Sequence, residues 1–160
     1  MMVKNLLMNI LLTIVWVALN GKFSAGNFLF GFILSFGIMW VVSRSAGSDR
    51  TYFTKIPKLI SFVFFFLYEL IKANIQVAFE VVTPKLKMTP GIVKLPLSAE
   101  SDLEITLLAN LISLTPGTLS LDVTDDKKYL YVHSMYIQNK ETFIADIKNG
   151  FERKLLEVMR

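Results

Sequence analysis

The 160-residue chain has no cysteine and one histidine. The first absence rules out disulfides, thiol nucleophiles and cysteine-based metal sites together. The second leaves His133 with no partner at metal-ligand spacing. Also missing are a glycine-rich phosphate loop with its lysine, a nucleophile elbow, internal repeats and low-complexity tracts. Without a catalytic constellation the expected reading is not an enzyme, with neither a metal nor a cofactor. His133 falls on a predicted strand, on the face it shares with Tyr129 and Tyr131. There a solvated or hydrogen-bonded histidine is expected ahead of a ligand or pH switch.

What the chain has in excess is apolar surface. Hydrophobic residues make up 53% and the mean hydropathy is +0.51, both high for a soluble protein. The net charge of +4 hides an asymmetry. Before Glu100 there are ten Lys/Arg against three Asp/Glu, and from Glu100 onward seven against ten. The basic residues flank apolar runs instead of clustering on a polar face, which disfavours nucleic acid as a partner. For Arg44, Arg50, Lys55, Lys85 and Lys87 the simpler partner is the anionic headgroup layer of a lipid bilayer.

Three hydrophobic helices are expected, over about 5–20, 27–43 and 56–82, so that residues 1–84 form a transmembrane region. The first resembles a secretory signal as well, but Ala18-Leu19-Asn20 is a poor cleavage site. The first two read as a helical hairpin, with Trp16 and Trp40 near the ends of their runs as interfacial anchors. Gly31 and Ser35 form a small-xxx-small pair that either lets another helix approach or arises by chance. Ser43 to Lys55 reads as a polar loop. Pro57 suits the first turn of the third helix, and Pro84 should end it near Thr83.

The third helix is the unusual one. After the apolar run Leu59–Leu67 come Glu69, Lys72, Gln76 and Glu80, which fall within roughly 80° of one another on a helix. Charge facing lipid is costly, so this stripe should face a protein partner, a watery crevice or a neighbouring helix. Glu69 and Lys72 can pair three residues apart. Three readings follow: a proton or cation relay, a contact locking the helix to another subunit, or a pair at headgroup level. With three crossings, Lys4, Arg44, Arg50 and Lys55 share one side and Lys22, Lys85, Lys87 and Lys94 the other. That near-tie leaves the orientation open.

Residues 85–160 read as a small α+β extramembrane domain of order β-α-β-β-α. Val93, Leu95 and Leu97 alternate in a strand that Pro96 places at a sheet edge. Ser101-Asp102-Leu103-Glu104 has capping-box spacing. Leu107–Leu114 reads as a buried soluble helix in preference to a fourth membrane segment. Pro116 and Gly117 suit positions i+1 and i+2 of a type II turn. Leu119, Leu121 and Val123 alternate in one strand, Asp125–Lys128 turns, and Tyr129–Met135 returns. Asn139 can cap a final helix carrying Phe143, Ile147, Phe151, Leu155 and Val158.

The stretch Thr106-Leu107-Leu108-Ala109-Asn110-Leu111-Ile112-Ser113-Leu114-Thr115-Pro116-Gly117-Thr118 closely resembles the LLANLITLTPGT signature of the E subunit of Mrp-type multisubunit Na+/H+ antiporters. Tyr68-Glu69-Leu70-Ile71-Lys72-Ala73-Asn74 resembles that family's ELIKAN segment. Ser113, where Thr is common, is the one departure in the first stretch. The resemblance implies a small accessory, assembly-supporting subunit of a cation/proton antiporter in a prokaryotic plasma membrane. Its partners would be the other subunits, which carry the ion pathways. Glu69 and Lys72 match that family's segment, and with Gln76 of the same stripe they are the expected intramembrane polar contact. Asn110, Thr115, Pro116, Gly117 and Thr118 would then be structural or assembly residues, and the C-terminal domain would be cytoplasmic. The competing class is a membrane-anchored adaptor with no part in transport.

Overall fold

In a computed structural model the described residues are 2–45, 51–83 and 88–160. Asp49 and Arg50 of the expected loop, Pro84, Lys85 and Lys87 lie outside them. The chain forms two compact units, Met1–Pro57 and Lys58–Arg160.

The first unit is a helical hairpin followed by the start of a third helix. Helix α1 (Met2–Asn20) and helix α2 (Ala25–Ser45) meet along their lengths. Gly21 ends α1 at φ +64°, its N–H donating to the carbonyls of Val17 and Ala18, a left-handed helix stop that glycine adopts without strain. At Gly31 a Cβ would come 2.8 Å from the Trp16 ring, so the hairpin closes only because glycine stands there. Ser35 is buried in the same unit, so both members of the small pair sit at packed positions. Trp16 belongs to this packing, donating from Nε1 to Asn27 Oδ1 at 3.1 Å. Trp40 lies under the Arg44 guanidinium.

Helix α3 (Thr51–Val82) begins five residues before the expected Ile56. Its first turn is held by aromatic burial: Tyr52 and Phe53 are buried, and both pack on Phe36. Pro57 therefore sits inside the helix instead of in its first turn. Among the described residues two helices are long and apolar enough to cross a membrane, Val3–Asn20 and Ala25–Arg44.

In the second unit, β1 (Gly91–Pro96), β2 (Thr118–Val123) and β3 (Tyr129–Ser134) form an antiparallel sheet of order β1-β3-β2. Pro96 is thus on an edge strand, where its missing N–H costs no ladder bond. Helix α4 (Asp102–Leu114) packs Leu108 and Ile112 into the core with Leu95, Leu130 and Val132. Its N-terminus shows both halves of the Ser101/Glu104 capping box.

Strand β2 departs from simple alternation. The register slips between Ser120 and Asp122, leaving Leu121 opposite no residue. Such a bulge leaves two successive side chains on one face: Leu121 and Asp122 are both exposed, and Val123 turns to the core. Asn139 caps helix α5 (Lys140–Ile147) by accepting from the Thr142 N–H. A single π turn, Lys148–Glu152, joins α5 to helix α6 (Arg153–Met159). Apolar residues spaced by four drift about 40° per step in a straight α-helix. The wider π turn takes up that drift, so Phe143, Ile147, Phe151 and Leu155 all reach the core.

Candidate functional site

The polar stripe of α3 faces a cleft in the second unit. Phe62 packs against the core there. The Phe65 and Phe66 rings lie 5.5 and 6.5 Å from Phe151. Gly150, in the π turn, admits Phe65 so closely that an added Cβ would sit 3.2 Å from it. Below these aromatics opens a cleft of about 450 Å³, lined from α3 by Glu69, Lys72, Ala73 and Gln76. The other wall holds Thr115, Pro116, Thr118, Tyr136, Asp146 and Asn149.

Two groups of residues far apart in sequence therefore meet. Glu69, Lys72 and Gln76 share one cleft with Thr115, Pro116 and Thr118. Lys72 Nζ lies 3.4 Å from Glu69 Oε2, with the lysine side chain 61% and the glutamate 24% exposed. A pair this open to water contributes little stability. What the cleft provides is solvation and polar neighbours for a stripe that hydrocarbon would not tolerate. Tyr136 stands against the turn. Its Oη is buried and has no hydrogen-bond partner among the described residues, and burial, with the Glu80 charge second, raises its pKa.

The turn itself is held by side chains. Thr115 Oγ1 donates to the Leu111 carbonyl, and Thr118 Oγ1 to the carbonyls of Ile112 and Thr115. These occupy acceptors that the end of α4 leaves open. Gly117 has φ +87°, and its missing Cβ leaves room for the Tyr136 ring, which would lie 3.0 Å away. Asn110 is not in the cleft. It is exposed on the outward side of α4, in helical register with the exposed Leu103, Leu107 and Leu114. His133 is half-buried in β3, opposite Ile92 and Leu119.

Two buried carboxylates make long-range contacts not expected from the sequence, beyond the capping role of Glu104. Glu152, 1% exposed, accepts from the N–H groups of Ser98 and Ala99 and pairs with Lys148 at 2.6 Å. Glu104 accepts from the N–H groups of Glu100 and Ser101 and from Arg160 Nε and Nη2, both at 3.1 Å. The Arg160 hydrogen bonds, with backbone donors next, hold its pKa down at about 2. Together they fasten the segment between β1 and α4. Lys148 four residues before Glu152 was the available signal for one. Arg160 offered none.

Comparison with known proteins fits this arrangement. A family model described as Na+/H+ ion antiporter subunit matches residues 9–158. The chain is 42% identical to the E subunit of the Na(+)/H(+) antiporter of Alkalihalophilus pseudofirmus, covering 99% of this chain and 100% of the relative. It is 38% identical to the Bacillus subtilis protein of the same name, again over 99% and 100%. Among solved structures, a chain of the Mrp complex from Dietzia sp. DQ12-45-1b aligns with a TM-score of 0.50 and 29% identity, over 64% of this chain and 96% of that one. A chain of the membrane-bound sulfane sulfur reductase, an archaeal respiratory membrane complex, aligns with a TM-score of 0.50 and 27% identity, over 95% and 96%. End-to-end similarity to these relatives, on a fold of two apolar helices followed by a small three-stranded sheet with helices, shows that the chain belongs to the E-subunit family of Na+/H+ antiporters.

Proposed function

We propose that this chain is an accessory, assembly-supporting subunit of a multisubunit monovalent cation (Na+)/proton antiporter in the plasma membrane. The observation that carries the reading is the match to E-subunit relatives over the full length of both chains. The ion pathways lie in the partner subunits. Three features of this chain suit a bracing role. The hairpin presents apolar side chains along both helices, among them Leu11, Ile14, Leu29 and Ile33, a surface for lipid and for neighbouring helices. The Thr115–Thr118 turn fixes the end of α4 against the cleft that receives Glu69, Lys72 and Gln76, so these residues act in assembly by holding α3 to the αβ portion. Asn110, centred in the exposed Leu103–Leu107–Leu114 stripe, sets the register of a partner subunit on α4, as a lone polar residue does in an apolar helix contact. The αβ portion lies on the cytoplasmic face.

The test is removal of this chain from the complex and its return on a plasmid. Loss of cation-dependent proton exchange in everted vesicles, with dispersal of the remaining subunits on native gels, is the expected result. An intact and fully active complex without it refutes the proposal. Purification of the tagged chain in mild detergent alone, under conditions that leave the other subunits associated with one another, would favour the adaptor reading instead.

A further inference from the structure

We infer that helix α3 does not cross the bilayer but lies in its cytoplasmic interface, with one apolar face in the lipid and the αβ portion seated on the other. The inference rests on the membrane-subunit reading above and adds to it the topology and a lipid-docking surface.

The two faces of α3 are distinct. At ~100° per residue, Phe62, Phe65, Phe66, Glu69, Lys72, Ala73 and Gln76 gather on one side. That side meets the core at Phe62, Phe151 at Phe65 and Phe66, and the cleft from Phe65 to Gln76. Ile60, Phe64, Leu67, Ile71, Ile75 and Phe79 follow at spacings of four, three, four, four and four on the opposite side. All six are exposed, Phe64 by 68% and Ile71 by 58%. The stripe runs for about 28 Å at ~1.5 Å per residue.

Were α3 to cross the membrane, Leu59–Leu67 would occupy the hydrocarbon, and whatever packs on Phe62, Phe65 and Phe66 would be drawn in beside it. That neighbour is the π turn with Asn149 and Gly150, the Thr115–Thr118 turn and a three-stranded sheet. Its outer strands β1 and β2 each have one unpaired edge. Open strand edges and irregular backbone do not survive in hydrocarbon. The αβ portion is therefore outside the core of the bilayer, and the part of α3 it covers is outside with it. A helix that is polar on one face and broadly apolar on the other then sinks only its apolar face, about 5–10 Å into the headgroup and acyl boundary.

Two observations select lipid over a partner helix as the occupant. The stripe is built from Ile, Phe and Leu, whereas helix–helix contacts in membranes favour small residues such as the Gly31 and Ser35 of the hairpin. The second is charge. With α3 in the plane, only α1 and α2 cross, so Lys4, Arg44, Lys55 and Lys58 fall on one side and Lys22 alone on the other. The tie that three crossings produce becomes a clear majority, and the positive-inside rule places α3 and the αβ portion at the cytoplasmic face. That leaflet carries the anionic lipid which basic residues such as these attract.

Because the chain has no cysteine, single-cysteine variants of the full chain in its complex give the test. Phe23→Cys, in the hairpin turn, and Glu141→Cys, at the start of α5, should react with an impermeant maleimide from opposite sides, the first in intact cells and the second only in everted vesicles. Reaction from the same side means three crossings and overturns the inference. Nitroxides at Ile60→Cys, Leu67→Cys and Phe79→Cys should then report one shallow depth by oxygen and nickel-chelate accessibility. A depth that rises and falls along the helix, or exclusion of both agents by a covering subunit, also overturns it. Ile33→Cys in α2 is the control. A deep reading there with a failed α3 leaves the membrane-subunit reading intact, while exposure of Ile33 to the nickel chelate refutes that reading itself.

Discussion

Replacing Glu152 with alanine should release the segment that joins β1 to α4. The side chain is 1% exposed and accepts from two backbone N–H groups, Ser98 and Ala99, while pairing with Lys148 at 2.6 Å. Alanine leaves the buried Ala99 N–H without an acceptor, at about 1–3 kcal/mol, while the N–H of the exposed Ser98 costs less. Lys148 costs less, since its side chain is 27% exposed and keeps the Pro96 carbonyl and the Ser98 hydroxyl as acceptors. A total of roughly 2–4 kcal/mol follows. Hydrogen exchange of the purified complex reads it directly. The Ser98 and Ala99 amides should exchange roughly one to three orders of magnitude faster, at ~1.4 kcal/mol per decade, while Val132 in the central strand changes far less. Glu152→Gln, which keeps one acceptor oxygen, should fall between. Unchanged exchange at Ser98 and Ala99 in the alanine variant would refute the claim that Glu152 holds this segment.

Acid should weaken the neighbouring clamp. Glu104 has its pKa lowered from 4.5 to about 2, first by the Arg160 side chain. A depressed carboxylate pKa contributes stability that is present above the unfolded value and lost as pH falls through the folded one. Protection of the Ser101 amide, the slowing of its exchange relative to an unstructured amide at the same pH, should therefore fall between about pH 4.5 and 2 and stay constant toward alkaline pH, and Arg160→Gln should raise the lower end of that window. Gly117→Ala forces a non-glycine residue to φ +87° against the Tyr136 ring and should cost about 1–2 kcal/mol or more, seen as a lower melting temperature of the complex. Tyr136→Phe removes a buried hydroxyl that has no partner among the described residues and should be neutral or slightly stabilising in the same assay. Gly31→Val should wedge Trp16 away from α2 and cut recovery of the assembled complex, and recovery equal to the parent would show that the helices need not approach so closely.

What was legible in the sequence was what neighbours along the chain decide. The Ser101/Glu104 capping box, the Pro116-Gly117 turn, the Asn139 cap and Pro96 at an edge each depend on residues within about four positions. The apolar runs of α1 and α2 and the family signature around Asn110 and Thr115–Thr118 were equally plain. So was the polar stripe Glu69–Lys72–Gln76, together with its requirement for something other than lipid.

Tertiary structure decided what fills that requirement. Glu69 and Thr118 meet across one cleft although nothing local links them. The Glu152 bonds to Ser98 and Ala99 and the Arg160 bonds to Glu104 each span more than fifty residues. The early start of α3 follows from burying Tyr52, whose hydroxyl accepts from Asn9 43 residues away. The β2 bulge follows from matching a strand to its partner's register, which β2 alone does not encode. Local sequence sets backbone preference and amphipathic period. Which faces are then covered depends on the long-range packing that removes apolar surface and charge from the wrong solvent, and that is settled only when the whole chain has closed.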